Sequence, residues 1–212
     1  MSTKTHAASP EATPPVFNIV GEKVALGPLR KDLVPTYTRW YNNFYTLRTL
    51  HTTPASLTLE QDERQHERLV ALSETQVSFT VYERSGCRPI GSAGLLDIDF
   101  RDRSAEFALA IGEPGARGEG YGTETTQLVV DYAFTALGLH NVMLTVFAYN
   151  LAGIHVYTKV GFREFGRRRE SIFMGGKLWD IILMDCLSSE WEPGPVLAET
   201  FRPDEPRPAR VR

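Results

Sequence analysis

The chain has 212 residues, of which 42% are apolar and 23% charged, and this composition is typical of a globular protein. Its formal net charge of −3 does not favour a nucleic-acid-binding surface. It contains no apolar run near the length of about 18 residues that a membrane span needs. We therefore expect no nucleic-acid partner and no membrane partner.

The prolines are concentrated at the two ends of the chain. Three of the 13 lie within residues 1–15 and five lie within residues 193–212. Because polar, proline-rich segments bury little apolar surface, we predict a disordered N-terminal tail and a disordered Pro/Arg-rich C-terminal tail. A single domain is expected over residues 16–192.

The N-terminus lacks the apolar stretch of a secretory signal. The two cysteines, Cys87 and Cys186, have the wide spacing of reduced thiols rather than of a disulfide framework. These features predict a cytoplasmic protein. The five histidines show no paired ligand spacing, so no metal site is predicted.

The first half of the predicted domain contains strands and short helices. Residues 16–30 are typical of a strand or hairpin, residues 33–45 of a short aromatic-rich helix, and residues 59–73 of a surface helix. Three strands joined by short links follow, at residues 77–84, 88–100 and 104–112. These links predict an antiparallel meander, because parallel strands need longer crossovers.

The pattern then changes at a glycine-rich loop, residues 113–122, which opens a helix over residues 123–138. Residues 141–149 are nearly all apolar and predict a buried central strand, and residues 151–161 predict a short helix. Two more strands follow. This order indicates an α+β or mixed α/β fold with a mostly antiparallel, twisted sheet of six or seven strands flanked by about four helices.

The segment Arg117–Gly122 (RGEGYG) has the composition of a phosphate-binding loop. Its glycines allow positive φ and close approach of a ligand, and N–H groups at a helix start attract phosphate. A P-loop is excluded because the loop has no lysine. A dinucleotide-binding loop is excluded because the spacing is G-x-G-x-G and no acidic residue follows at the required distance. The alternative is a loop that only turns the chain.

A second group of residues lies on the later predicted helix. Asn150, Ile154 and Tyr157 share one face, and Asn150 and Tyr157 are about 10 Å apart along the axis. An amide and a phenol so placed could both contact an elongated ligand. The alternative is that Asn150 only caps the helix and Tyr157 packs in the core.

Together the two segments resemble the GNAT N-acetyltransferase superfamily. Arg117, Gly120 and Gly122 match its acetyl-CoA loop, Q/R-x-x-G-x-G/A, and residues 150–162 (NLAGIHVYTKVGF) are similar to its N-x-x-A-x-x-x-Y-x-K-x-G-F segment. The ending GKLWDIILMDCLSSEW looks like the branch of ribosomal-protein N-acetyltransferases and spermidine acetyltransferases. The resemblance covers about residues 20–191.

The resemblance implies a GNAT-like fold and direct transfer of acetyl from acetyl-CoA to a primary amine. The implied acetyl-CoA contacts lie on a strand edge, the glycine loop and the later helix, and they are Leu109, Ala110, Ile111, Arg117, Gly118, Glu119, Gly120, Tyr121, Gly122, Thr123, Asn150 and Tyr157. By the same resemblance the strand supplies the oxyanion donor, Tyr157 protonates the leaving thiolate, and the chain forms a homodimer.

A base is also needed, because a lysine-type amine has a pKa near 10 and is protonated at neutral pH. Strand alternation puts Glu106 on the same face as the small residues Ala108 and Ala110. Several relatives use a glutamate on this strand, so Glu106 is the first candidate. The alternative is an edge carboxylate in a salt bridge or in water.

The acceptor site is expected near the aromatic residues Trp40, Tyr41 and Tyr45, since aromatic walls suit a cation or a flat ligand. The alternative is that they are ordinary core and surface aromatics. The acceptor is either a small molecule (an antibiotic, polyamine or amino sugar) or a protein N-terminus or lysine. The alternative function is a non-catalytic GNAT-fold module that binds acyl-CoA or has a regulatory role.

Overall fold

The computed structural model describes residues 14–50, 55–71 and 74–201. Eight strands form one sheet, and they are β1 Ile19–Val20, β2 Val24–Pro28, β3 Val77–Glu83, β4 Arg88–Asp99, β5 Ser104–Ile111, β6 Asn141–Phe147, β7 Arg163–Met174 and β8 Lys177–Leu187. The α-helices in these residues are α1 Val34–Tyr41, α2 Phe44–Leu47, α3 Leu59–Ala71, α4 Tyr121–Thr135, α5 Leu151–Val160 and α6 Pro195–Thr200.

The strands follow the order β1-β2-β3-β4-β5-β6-β8-β7. Every neighbouring pair is antiparallel except β5 and β6, which are parallel. Pairing between β5 and β6 ends at Glu106 and Met143, although β5 continues to Ile111 and β6 to Phe147. The last residues of β5 therefore have β4 on one side and no paired strand of the described chain on the other.

The main core lies on the sheet face covered by α4 and α5. Val129 and Val130 of α4 are buried with Leu95 of β4 and Leu144 of β6. Phe107 of β5 points to the same face, where its ring packs edge-on against Tyr157 of α5. Ala108 and Ala110 consequently lie on the opposite face, which α1 and α3 cover.

The mixed α/β fold with a mostly antiparallel sheet is confirmed, with eight strands rather than six or seven. The extra strand arises because residues 16–30 form a hairpin, in which Ile19–Val20 pair with Ala25–Leu26. The helix predicted over residues 33–45 is two helices, α1 and α2. The side chain of Asn43 interrupts it by accepting a hydrogen bond from Tyr45 N–H at 2.9 Å, which caps α2.

The predicted C-terminal tail begins too early. Residues 195–200 form α6, and its Leu197 is only 1% exposed within the main core. Pro195 is compatible with helix because proline in the first turn lacks only an N–H that has no helical acceptor. Residues 1–13 of the predicted N-terminal tail and residues 202–212 lie outside the described residues.

Two further findings concern the described part of the chain only. None of its helices is long and apolar enough to cross a bilayer. It also contains no group of three or more His, Cys, Asp or Glu side chains arranged to hold a metal ion.

Replacing Leu197 by Ala tests whether α6 belongs to the domain. Removing a fully buried leucine side chain leaves a cavity, so we expect the free energy of unfolding to fall by about 2–5 kcal/mol in urea titrations. Glu199→Ala on the exposed side of α6 is the control and should stay within about 0.5 kcal/mol of the wild type. Equal unfolding midpoints for both variants would contradict a docked α6.

Candidate functional site

Two cavities meet at the end of β5. The first, the loop cavity, has a volume of about 460 Å³ and lies between β5, the glycine-rich loop and α5. The second, the helix cavity, has a volume of about 220 Å³ and lies between the sheet and helices α1 and α3. Both are lined by Leu50, Leu109 and Ala110, so ligands in the two cavities would meet at these residues.

The loop cavity is built on an unusual backbone. Gly118 and Gly120 have φ angles of +84° and +86°, which favour glycine, and Gly120 is the N-cap residue of α4. The N–H of Glu124 bonds to Gly120 O at 3.2 Å, whereas the three preceding N–H groups, of residues 121–123, have no acceptor within the helix. These N–H groups give the start of α4 the character of an anion site.

Arg117 anchors this loop. Its Nη2 donates to Thr46 Oγ1 at 2.7 Å and its Nε to Ile111 O at 3.2 Å, and the guanidinium lies over the Tyr45 ring, 4.9 Å from its centroid. Arg117 therefore connects the loop to α2 and to the end of β5, in addition to lining the cavity.

The other predicted acetyl-CoA contacts divide into two groups. The cavity is lined by Leu109, Ala110, Ile111, Arg117, Gly118, Gly120, Gly122, Thr123, Asn150 and Tyr157. Glu119 and Tyr121 are not among its lining residues. The Glu119 carbonyl accepts a hydrogen bond from Lys23 Nζ at 3.1 Å, and Tyr121 packs against the core.

Asn150 and Tyr157 both line the loop cavity, although Asn150 also caps α5 by accepting from Gly153 N–H at 3.1 Å. The Tyr157 ring contacts Phe107 and Phe162. Within the described residues its hydroxyl has no hydrogen-bond partner, and burial raises the pKa of Tyr157 to about 12. The phenol therefore keeps its proton at neutral pH.

Glu106 lies where β5 and β6 separate. Its Oε1 accepts a hydrogen bond from Thr145 Oγ1 of β6 at 3.1 Å. It is not among the residues that line either cavity, although Ala108, two residues along the same face, lines the helix cavity. A role for Glu106 as base remains a prediction.

The three predicted acceptor aromatics lie in three different places. Trp40 is only 4% exposed, and its ring packs against that of Tyr37 at 5.7 Å. It is not among the residues that line either cavity, and its role in an acceptor pocket remains a prediction. Tyr41 lines the helix cavity, with its hydroxyl 3.2 Å from Ser92 Oγ. Tyr45 is exposed and lines the loop cavity beneath the Arg48 guanidinium.

Asp62 and His66 of α3 line the helix cavity and were missed from the sequence. Both are buried, and Asp62 Oδ2 accepts a hydrogen bond from Thr38 Oγ1 of α1 at 2.7 Å. Burial raises the pKa of Asp62 above its ordinary value. One feature of the sequence could have indicated this site. Asp62 and His66 share a helix face with the apolar Leu69, so this face of the predicted surface helix is not uniformly polar.

The family assignment follows from comparison with known proteins. The model of the acetyltransferase (GNAT) domain matches residues 23–163, so the chain belongs to this family and the resemblance is confirmed. A crystal structure of spermidine N-acetyltransferase from Vibrio cholerae in complex with CoA and spermine has a TM-score of 0.73 and 26% identity. That match covers 79% of this chain and 97% of the solved chain.

The relatives among curated proteins differ in what they are named for. Spermidine N(1)-acetyltransferase of Vibrio cholerae is 35% identical over 48% of this chain and 58% of its own length. The Escherichia coli enzyme of that name is 35% identical over 44% and 50%. The chain thus matches only half to three-fifths of these two proteins. Alpha/beta-tubulin-N-acetyltransferase 9 of Drosophila melanogaster is 32% identical over 73% of this chain and 82% of its own length.

Replacing Gly120 by Ala tests the loop backbone. Alanine is strained at a φ of +86°, so the N–H groups at the start of α4 should shift and acetyl-CoA should bind roughly tenfold more weakly by titration calorimetry. Gly115→Ala is the control in the same loop, because a methyl group there meets open space and the φ angle is not positive. Equal affinities for acetyl-CoA in both variants would contradict a role for this backbone.

Proposed function

We propose that the protein is an acetyl-CoA-dependent N-acetyltransferase that moves an acetyl group directly to a primary amine. The observation that carries the proposal is the meeting of two cavities at Leu109 and Ala110. One cavity has an anion-binding backbone and a protonated tyrosine, and the other is a separate pocket for the acceptor. The neighbouring structure, which is in complex with CoA and spermine, supports a CoA-type donor and an amine acceptor.

Backbone groups would make most of the contacts to acetyl-CoA. The N–H groups of residues 118–123 would bind the pyrophosphate, because glycine lets them converge at a helix start. The pantetheine arm would lie along residues 109–111 of β5, whose edge no described strand covers. Ile111 O faces the loop, where it accepts from Arg117. Alternate residues of a strand direct their backbone groups to the same edge, so the Leu109 N–H faces the loop too and would stabilise the oxyanion.

Tyr157 is suited to be the general acid. As the carbon–sulfur bond breaks, the leaving thiolate takes a proton, and a phenol lining the cavity can donate it. Because its pKa is raised to about 12, the tyrosine remains protonated throughout the working pH range. Deprotonation of Tyr157 should therefore cause no loss of kcat between about pH 6 and pH 9.

The incoming amine must lose a proton before it attacks the carbonyl carbon. Glu106 remains the first candidate for this base, acting directly or through water from the face that it shares with Ala108. Its bond from Thr145 holds the carboxylate at the mouth of the gap between β5 and β6. If Glu106→Gln kept full kcat across that pH range, Glu106 would not be the base.

We also propose a cytoplasmic homodimer. The exposed edge strand β7 carries the exposed side chains of Phe165 and Phe173, and an apolar edge of this kind favours association. The dodecameric structure of spermidine N-acetyltransferase from Vibrio cholerae, a structural neighbour of this chain, supports the proposal that this chain also self-associates.

Release of CoA from acetyl-CoA over a panel of amines, with detection of products by mass, tests the proposed activity. The panel contains diamines, polyamines, amino sugars, aminoglycosides and peptides with free N-termini. We expect at least one amine to gain about 42 mass units as CoA is released, because one acetyl group replaces one hydrogen of the amine. Tight binding of acetyl-CoA without turnover on any amine would instead favour a binding module.

Tyr157→Phe removes the proposed proton donor while keeping the ring that packs on Phe107. We expect kcat to fall roughly 10²- to 10⁴-fold with little change in the Kd of acetyl-CoA. Tyr132→Phe, on α4 and lining neither cavity, is the control and should keep full kcat. An unchanged kcat in Tyr157→Phe would remove the acid role.

A further inference from the structure

The helix cavity is a small pocket of about 220 Å³ between the sheet and helices α1 and α3. Its floor is the sheet, at positions where the side chains are small, and these are Ser78, Ser92, Gly94, Ala108 and Ala110. Tyr37 and Tyr41 of α1 and Leu69 of α3 form much of the remaining wall. Small floor residues leave the volume open, and the aromatic and aliphatic wall suits a hydrocarbon stem.

A carboxylate lines this pocket in an otherwise mostly apolar setting. Asp62 is only 5% exposed, and its Oδ2 is bound by Thr38. Within residues 14–50, 55–71 and 74–201 its Oδ1 has no hydrogen-bond donor, and no Lys, Arg or His side chain forms a salt bridge with it. His66, one turn further along α3, lines the same pocket, and burial raises the pKa of Asp62 more than the Thr38 hydrogen bond and this neighbouring imidazole lower it. A buried carboxylate without a cation is costly, so a ligand cation is the natural partner.

We propose that Asp62 binds the second ammonium group of a linear diamine or polyamine whose first amine is acetylated at Leu109 and Ala110. This inference rests on the proposed N-acetyltransferase function and names its acceptor class. Asp62 is thereby a specificity residue and takes no part in the chemical step.

The size of the pocket agrees with such a ligand. A volume of about 220 Å³ equals roughly seven water-sized groups at about 30 Å³ each. This is enough for a chain of about four methylenes ending in one ammonium group, with the reacting amine at the shared residues. A monoamine of the same length would fill the stem and leave Asp62 buried without a cation.

The ammonium would gain two kinds of contact. It would form a charge-assisted hydrogen bond with Asp62 Oδ1, which Thr38 leaves free. The tyrosine walls add cation–π attraction close to the charge. Pairing also lowers the cost of the buried carboxylate, because an opposite charge favours its ionised form.

The test compares 1,4-diaminobutane with butylamine as acceptors at saturating acetyl-CoA. We expect the wild type to prefer the diamine by at least tenfold in kcat/KM, and Asp62→Asn to lose roughly 30-fold on the diamine, mainly through KM. In this variant the kcat/KM for butylamine should not fall and should rise where the unpaired carboxylate opposed binding, and the Kd of acetyl-CoA should not change. Glu63→Gln, an exposed neighbour on α3 with the same change in charge, is the control and should match the wild type.

Each contrary outcome is distinct. Equal kcat/KM of the wild type for the two amines, or an unchanged preference in Asp62→Asn, would overturn the role of Asp62 and leave the acetyltransferase function standing. Faster acetylation of a peptide N-terminus than of the diamine would also overturn it, in favour of a protein acceptor. Absence of turnover on every amine would overturn both proposals. The comparison of wild-type acceptors needs no variant, so a poorly folding Asp62→Asn would not remove the test.

Discussion

The parting of β5 and β6 is the constraint on which the candidate site depends. The two strands pair over only three residues each, and both then continue without pairing to each other. An unpaired strand edge must find other hydrogen-bond partners. Here Arg117 Nε donates a hydrogen bond to the carbonyl of Ile111 on this edge, and the bond brings the glycine-rich loop to the end of β5. The gap, the loop and the start of α4 consequently form one cavity.

The alternation of β5 would give the two proposed substrates separate places. Phe107 points to the face of α5, where it supports Tyr157, whereas Ala108 and Ala110 point to the face of α1 and α3. In the proposed reaction the donor and the acceptor would therefore approach the same short stretch of backbone from different cavities. The buried carboxylate of Asp62 is a feature of the site that costs stability, which is common where function competes with stability.

The sequence predicted those parts of the fold that local patterns encode. The meander, the helix opened by Gly120–Gly122 and the cap at Asn150 are local, and all three occur in the structure. The sequence did not predict the placement of side chains that depends on tertiary packing. Trp40 lies on α1 and Asp62 lies on α3, and both helices are amphipathic. The packing of these helices on the sheet buries Trp40 in the core and directs Asp62 towards a cavity. Leu197 is a third example, because the prolines before it predicted a disordered tail, whereas its side chain packs in the main core.

In the proposed reaction an acyl donor and an amine meet at Leu109 and Ala110 from two cavities. The most direct measurement is the affinity of a bisubstrate analogue, CoA joined through a sulfur-bound acetyl group to one nitrogen of 1,4-diaminobutane, by titration calorimetry. Because the analogue occupies both cavities at once, it should bind at least about 10²-fold more tightly than CoA alone. An analogue no tighter than CoA would contradict the account, since its amine half would then find no site next to the donor.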